Sequence, residues 1–203
     1  MQKIGFLLLC GGKSSRMGTP KALLQWQGEP LVQRVARAGA DFPEKIFSVN
    51  GDIPVPAGFR PVGDVYPGGG PMAGLHAGLS VCESDALVTA PCDTPFYTSS
   101  LARFLARQYS PEWDAVILQG ADGWLHPLMG VFSKSCLPAF ADCLAHDKLK
   151  LMRTLDELHT KRLTLPPEIS QDVFINLNTP EAYQRYQNAP GESDRLHKDC
   201  PIG

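Results

Sequence analysis

Short apolar runs alternate along the chain with stretches whose apolar residues recur at helical spacing. The runs suit buried strands, and a period near 3.6 residues suits helices lying on a sheet. The pattern predicts strands over residues 4–9, 45–50, 60–62, 86–90, 115–118, 128–132, 162–165 and 173–177. It predicts helices over 30–40, 71–82, 99–109, 134–146, 150–158 and 180–187. In the first of these, Leu31, Val32, Val35, Ala36 and Ala38 share one face and leave Arg34 and Arg37 outside it. Pro71 and Pro180 stand at first helical positions, where a missing N–H costs nothing, and Thr179 is placed to cap the last helix. Strands and helices alternating in this way predict an α/β, single-domain, Rossmann-like fold with a mostly parallel sheet and helices on both faces. The domain is expected over 1–187, followed by a loose polar tail over 188–203 that has Pro, Gly and no periodicity.

Composition narrows the function classes. A chain of 203 residues that is 43% apolar can bury its own core without staples. A net charge of −2 excludes general nucleic-acid or membrane-surface binding. The run Ile4–Cys10 looks at first like the core of a secretory signal, but it is at the very bottom of the roughly 7–15 residues such cores need. It reads as a buried parallel strand, no other stretch approaches the length of a membrane span, and the expected compartment is the cytoplasm. The six cysteines form no Cys-x-x-Cys pair and no zinc spacing, so reduced thiols are expected.

Charge is unevenly spread. Lys3, Lys13, Arg16 and Lys21 all precede Glu29, the first acid of the chain. They surround the turn Leu9-Cys10-Gly11-Gly12, which follows the first strand at the sheet edge where α/β proteins hold ligands. Gly11 and Gly12 allow backbone N–H groups to approach an anion, and Arg16 and Lys21 supply fixed positive charge. The spacing matches neither a P-loop nor a dinucleotide-binding glycine pattern. A glycine turn alone is as often a plain connection; the surrounding charge favours an anionic small ligand. Asp93, in Pro91-Cys92-Asp93-Thr94-Pro95, stands at the tip of another strand, where a Mg²⁺ carboxylate belongs, with a simple turn residue as the alternative. Asp64 precedes a glycine-rich loop that leads into Gly70-Pro71-Met72-Ala73-Gly74. Small residues at Gly70 and Gly74 permit close approach either of a flat base or of a packed neighbour. His126 before Pro127 reads on spacing as a structural hydrogen-bonder, and Asn178 as a residue of a helix cap.

Taken in order, these segments resemble the molybdenum cofactor guanylyltransferases, a MobA-type family of nucleotidyltransferases with a nucleotide-diphospho-sugar transferase-like fold. The likeness extends to about Gln187 and adds Ser15-Arg16-Met17-Gly18, Asn50-Gly51-Asp52 and Asn176-Leu177-Asn178-Thr179-Pro180 to the segments above. It implies GTP contacts at Leu9, Cys10, Gly11, Lys21, Asn50, Asp64 and Asp93, with Mg²⁺ on Asp93. It implies that Asn176 and Asn178, with His126 nearby, face Mo-molybdopterin. The implied reaction joins GMP to the terminal phosphate of that pterin and releases pyrophosphate, with Arg16, Lys21 and Asp93 as the catalytic set. Transient contact with cofactor-insertion proteins or molybdoenzymes would follow. Gly11-Gly12 and the Gly-Pro-x-Ala-Gly helix start resemble the guanine-using branch. The competing readings are a cytidylyltransferase, another sugar-phosphate or small-molecule phosphate nucleotidyltransferase, and a non-catalytic nucleotide-binding chaperone of the cofactor.

Overall fold

The computed structural model describes residues 2–11 and 20–187; Gly12, Arg16, the tail over 188–203 and its Cys200 lie outside the described residues. In chain order the elements are β1 (Ile4–Cys10), β2 (Gln25–Trp26), β3 (Glu29–Pro30), α1 (Leu31–Ala36), β4 (Lys45–Val49), β5 (Arg60–Val62), α2 (Gly70–Val81) and β6 (Ala86–Pro91). Then follow α3 (Ser99–Gln108), β7 (Ala115–Gln119), β8 (Leu125–Ser133), α4 (Leu137–Ala145), α5 (Leu151–Glu157), β9 (Thr160–Thr164) and α6 (Pro180–Gln187). Seven strands form one sheet in the order β5-β4-β1-β6-β8-β7-β9, parallel except where β8 runs against β6 and β7.

The central strand shows why the sheet is covered on both sides. Phe6, Leu8 and Cys10 of β1 point into a cluster with Val35 of α1 and Leu101 and Leu105 of α3. Leu7 and Leu9 point the other way, to Leu75 and Leu79 of α2 and Phe140 and Leu144 of α4. A strand buried on both faces reads as one continuous apolar run, which is how it appears in the sequence. A third, smaller cluster joins Trp26, Leu31 and Leu177 to Tyr183 and Tyr186 of α6. Among the described residues no helix is long and apolar enough to cross a membrane.

Several elements differ from the sequence pattern. The helix expected over 30–40 starts only at Leu31, because Pro30 belongs to a small hairpin with Gln25 and Trp26, and after Ala36 it tightens into a 3₁₀ turn over Arg37–Gly39. That hairpin turns at Gln27 and Gly28, both with positive φ, the two-residue turn that fits strand twist. The helix expected over 134–146 opens as a 3₁₀ turn over Lys134–Cys136 before α4. β8 is longer than its apolar run and carries His126 and Pro127 in its first half. Its pairing with β7 jumps there, from Ile117↔Gly130 to Leu118↔His126. Such a bulge tolerates a proline that has no N–H for the ladder.

The strand expected over 173–177 is absent. Ser170 caps a 3₁₀ turn over Gln171–Phe174 by accepting the Asp172 N–H, and the following residues run irregularly. The apolar residues that suggested a strand are shared among three surfaces. Val173 enters the core beside α3, Phe174 stacks on His126, and Leu177 fills the Trp26 cluster.

Candidate active site

The register of the parallel strands places four polar or glycine positions in one row. Leu9 pairs with Pro91, Cys10 with Val49, and Ser48 with Val62. Continuing each register past the strand ends aligns Asp64, Asn50, Gly11 and Asp93 along the carboxyl edge of β5, β4, β1 and β6. At roughly 4.8 Å per strand, the row spans about 14 Å.

At one end of the row, Asn50 and Asp64 clamp each other. The Asn50 side-chain Oδ1 accepts the Asp64 N–H at 3.1 Å, and its Nδ2 donates to Asp64 Oδ2 at 2.5 Å. Asp64 Oδ1 is buried and has no hydrogen-bond partner among the described residues. Burial raises the Asp64 pKa above the ordinary carboxylate value, and the Asn50 amide opposes the shift. A fixed, partly desolvated oxygen of this kind seeks a donor, such as a base amino group or a ribose hydroxyl.

At the other end, Asp93 leaves β6 with its own Oδ1 buried and without a partner among the described residues. Desolvation raises its pKa; the Lys21 ammonium, its own backbone N–H and the Asn176 amide oppose the shift. Lys21 also donates to Asn178 Oδ1 at 2.5 Å. Between the two ends lies a cleft of about 230 Å³ lined by Cys10, Gly11, Lys21, Asn50, Asp52 and Asp93 among others. Among the described residues no three His, Cys, Asp or Glu side chains gather as a metal cage. A hard divalent cation held by one or two carboxylates and completed by phosphate oxygens and water needs no such cage, and the open oxygen of Asp93 fits that role. The cleft offers no activated thiol at Cys92. A hydrogen bond with Cys10, then burial, push the Cys92 thiol well above its usual range, which keeps it protonated and inert.

Residues from the end of the chain close this side. The Leu177 N–H donates to the Asp93 carbonyl at 2.9 Å, and the Leu177 side chain is fully buried, so the flanking Asn176 and Asn178 are fixed beside Asp93. The cap of α6 is Thr179, which accepts the Ala182 N–H at 3.1 Å. Asn178 is therefore the acceptor for Lys21 rather than the helix cap. His126 lies flat on Phe174, with centroids 3.8 Å apart and planes 13° from parallel. Burial lowers its pKa, against a smaller opposing effect of Asp122, so the ring is neutral at pH 7.

The structure thus gathers Cys10, Gly11, Lys21, Asn50, Asp64, Asp93, Asn176 and Asn178 around one edge, with His126 beside them. Two expected contacts fall elsewhere. The Leu9 side chain lies in the core and its carbonyl accepts the Cys92 N–H. Gly74 faces the sheet: a Cβ there would stand 2.8 Å from Ser48 Oγ and 3.2 Å from Leu9 Cδ2. Close packing of α2 on β1 and β4 is reason enough for that glycine, whereas Gly70 is exposed at the start of the helix. Gly12 and Arg16 lie outside the described residues. Sequence reasoning missed the Asn50–Asp64 clamp, the Lys21–Asn178 bond and the His126–Phe174 stack, each of which needs a strand register or a chain crossing to appear.

Residues 6–162 match the model of the MobA-like NTP transferase domain. The chain is 32% identical to the molybdenum cofactor guanylyltransferase of Vibrio cholerae, over 89% of this chain and 90% of that protein. It is 29% identical to a probable molybdenum cofactor guanylyltransferase of Bacillus cytotoxicus, over 90% of this chain and 96% of the relative. In fold it resembles the molybdopterin-guanine dinucleotide biosynthesis protein A of Archaeoglobus fulgidus, with a TM-score of 0.77 and 20% identity over 97% of this chain and 99% of that one.

Proposed function

The chain belongs to the MobA-like NTP transferase family, and from that premise we propose that it transfers GMP from metal-bound GTP to the terminal phosphate of Mo-molybdopterin. The observation that carries this reading is the row along the sheet edge. A base-reading pair, Asn50 and Asp64, stands at one end, and a phosphate- and cation-binding pair, Lys21 and Asp93, at the other. A nucleoside triphosphate laid along it puts its base over β4 and β5 and its phosphates beside β6. The pterin then approaches from the side of His126, Asn176 and Asn178.

In the reaction an oxygen of the acceptor phosphate forms a bond to the α-phosphorus of GTP. The bond from that phosphorus to the bridging oxygen breaks, and pyrophosphate leaves with the electron pair. The acceptor brings its own nucleophilic oxygen, so no side chain needs to attack. The chain supplies alignment and fixed charge. Lys21 neutralises charge on the transferring group, Asn178 holds the Lys21 ammonium, and Asp64 orients the base. Arg16, five positions before Lys21 in the sequence, would add a second cation. Asp93 would hold the divalent ion, taken here as Mg²⁺, which when bound screens the triphosphate and favours departure of pyrophosphate. The proposed activity is a cytoplasmic one, with product passed on to insertion proteins or molybdoenzymes.

Incubating the protein with GTP, Mg²⁺ and Mo-molybdopterin should yield the guanine dinucleotide and one pyrophosphate per turnover. Equal or faster turnover with CTP would overturn the base assignment, and absence of any dinucleotide would overturn the reaction.

A further inference from the structure

The connection between β7 and β8 is short and tightly bonded. The Gly120 N–H donates to the Trp124 carbonyl at 2.8 Å, and the Gly123 N–H to the Gly120 carbonyl at 2.9 Å. Gln119 Nε2 donates to the Gly123 carbonyl at 2.9 Å, and the Trp124 N–H to Asp122 Oδ1 at 3.0 Å. A further bond, from the Ala121 N–H to Gln171 Oε1 at 3.2 Å, ties the turn to the segment that leads to Asn176. On this fixed support the Trp124 side chain is 73% exposed, the most exposed of the large apolar residues described. Among the described residues nothing in the packing requires an indole there, since the aromatic side chains that fill the clusters lie elsewhere.

Its position gives the exposure a meaning. β7 runs parallel to β6, so the turn after β7 rises at the same sheet edge as Asp93. Trp124 precedes His126 by two positions, the spacing that sets side chains on one face of an extended segment. His126 already lies flat against Phe174, two residues before Asn176. Between the base-reading pair and the β8 end of this turn lie β1 and β6, so β8 is three steps from Asn50 and four from Asp64, at about 4.8 Å each. The indole is therefore too far from Asn50 and Asp64 to meet the same ring that they orient. A flat ring arriving on the acceptor side comes within its reach.

We propose that Trp124 is the stacking platform for the flat pyrimidinone ring of the acceptor's pterin. The inference rests on the reading of the acceptor given above. A rigid indole loses little freedom on binding and presents a full π-face to the flat pyrimidinone ring of the pterin. The guanine of GTP, held at the far end of the row, does not use it.

The test measures steady-state kinetics and binding for wild type, Trp124→Ala and Trp124→Phe. Trp124→Ala should raise the KM for Mo-molybdopterin about tenfold, the size of one lost ring stack, with kcat and the KM for GTP unchanged. Trp124→Phe should recover most of that loss, and the melting temperatures of all three should agree because the site is exposed. Binding is read separately with 6-carboxypterin as probe. Trp26 is fully buried and Trp113 partly so, so quenching of the exposed indole should appear in wild type beyond that seen in Trp124→Phe. An unchanged acceptor KM in Trp124→Ala with normal dinucleotide formation would overturn the stacking role and leave the reaction standing. If wild type formed no dinucleotide, the proposed reaction would fail, and the pterin titration would still decide the platform. Quenching equal in wild type and Trp124→Phe would overturn it. Loss only of delivery to a recipient enzyme, at unchanged acceptor KM, would assign the indole to a protein partner and overturn it as well.

Discussion

The two ends of the site are built in different ways. The donor end stands on parallel strands: Asn50 and Asp64 follow β4 and β5, and their contact is set by a ladder in which Ser48 faces Val62. The acceptor end stands where the sheet turns antiparallel and the strands give way to connections. His126 precedes a bulge, Asn176 and Asn178 flank a single backbone bond from Leu177 to Asp93, and α6 packs on a two-residue hairpin through Trp26. In the proposed reading, the parallel half offers a rigid row for one nucleotide. The other half is a set of short segments, each tied down by one or two bonds, and the same reading gives them the larger and less regular acceptor. Asp93 and Lys21 lie where the two constructions meet.

The largest effect is expected at that junction. Asp93→Asn should reduce turnover by about 10²-fold or more, since it removes the anionic oxygen available to a divalent ion. The same change should stabilise the unliganded protein. Burial raises the Asp93 pKa above its ordinary value of 3.8, so the fold disfavours the ionised form. Stability is then lost as pH rises from the unfolded carboxyl value through the raised folded one, and stays lost at neutral pH. At pH 7 the unliganded variant should melt roughly 2–4 °C higher, a gain of about 1 kcal/mol that shrinks as pH falls from the raised folded value towards 3.8 and is gone below it. Calorimetry at pH 7 and at acid pH, paired with a turnover assay, checks both parts. Normal turnover with unchanged Mg²⁺ dependence would return Asp93 to the role of a turn residue.

A smaller effect should separate the halves. Saturation of the donor end with Mg-GTP at a hundred times its Kd should add about 2.7 kcal/mol of stability, read as a melting shift of several degrees. Mg-CTP and Mg-ATP at the same concentrations should shift the midpoint less. Asn50→Ala should remove that preference while sparing the response to Mg²⁺, because Asp64 then loses the amide that aims it. Equal shifts for the three nucleotides would mean that the parallel end does not read the base.

The same division explains what the sequence discloses. The run at 4–9, the alternation of strand and helix, and the position of Asp93 after a buried strand are all local patterns, and they survive into the structure. The clamp between Asn50 and Asp64 is not local: nothing links two residues fourteen positions apart until β4 and β5 are set in register. The failure over 173–177 is of another kind. Val173, Phe174, Ile175 and Leu177 have the composition of a strand, but each serves a different surface, and composition carries no direction. The Gln27-Gly28 turn was readable from a glycine between Trp26 and Glu29, yet two-residue strands lie below the length at which periodicity speaks.

The smallest expected effect decides whether the two ends are independent. Were they so, Lys21→Ala would lower the maximal rate with GTP, and Asn178→Ala would only raise the requirement for the pterin. The structure joins the two side chains directly, and Lys21 also acts electrostatically on Asp93. Removing Asn178 should therefore do two things: loosen the pterin and release the ammonium from its place beside the phosphates. In a double-mutant cycle the two substitutions should be less than additive in kcat, with a coupling of about 1 kcal/mol. Pterin KM should still rise in Asn178→Ala alone. Strict additivity would separate the halves and make the bond a feature of the unliganded state. A lowered melting temperature with normal kinetics in Asn178→Ala would make Asn178 a structural tie, and the acceptor would then have to be held by His126, Asn176 and the hairpin beyond them.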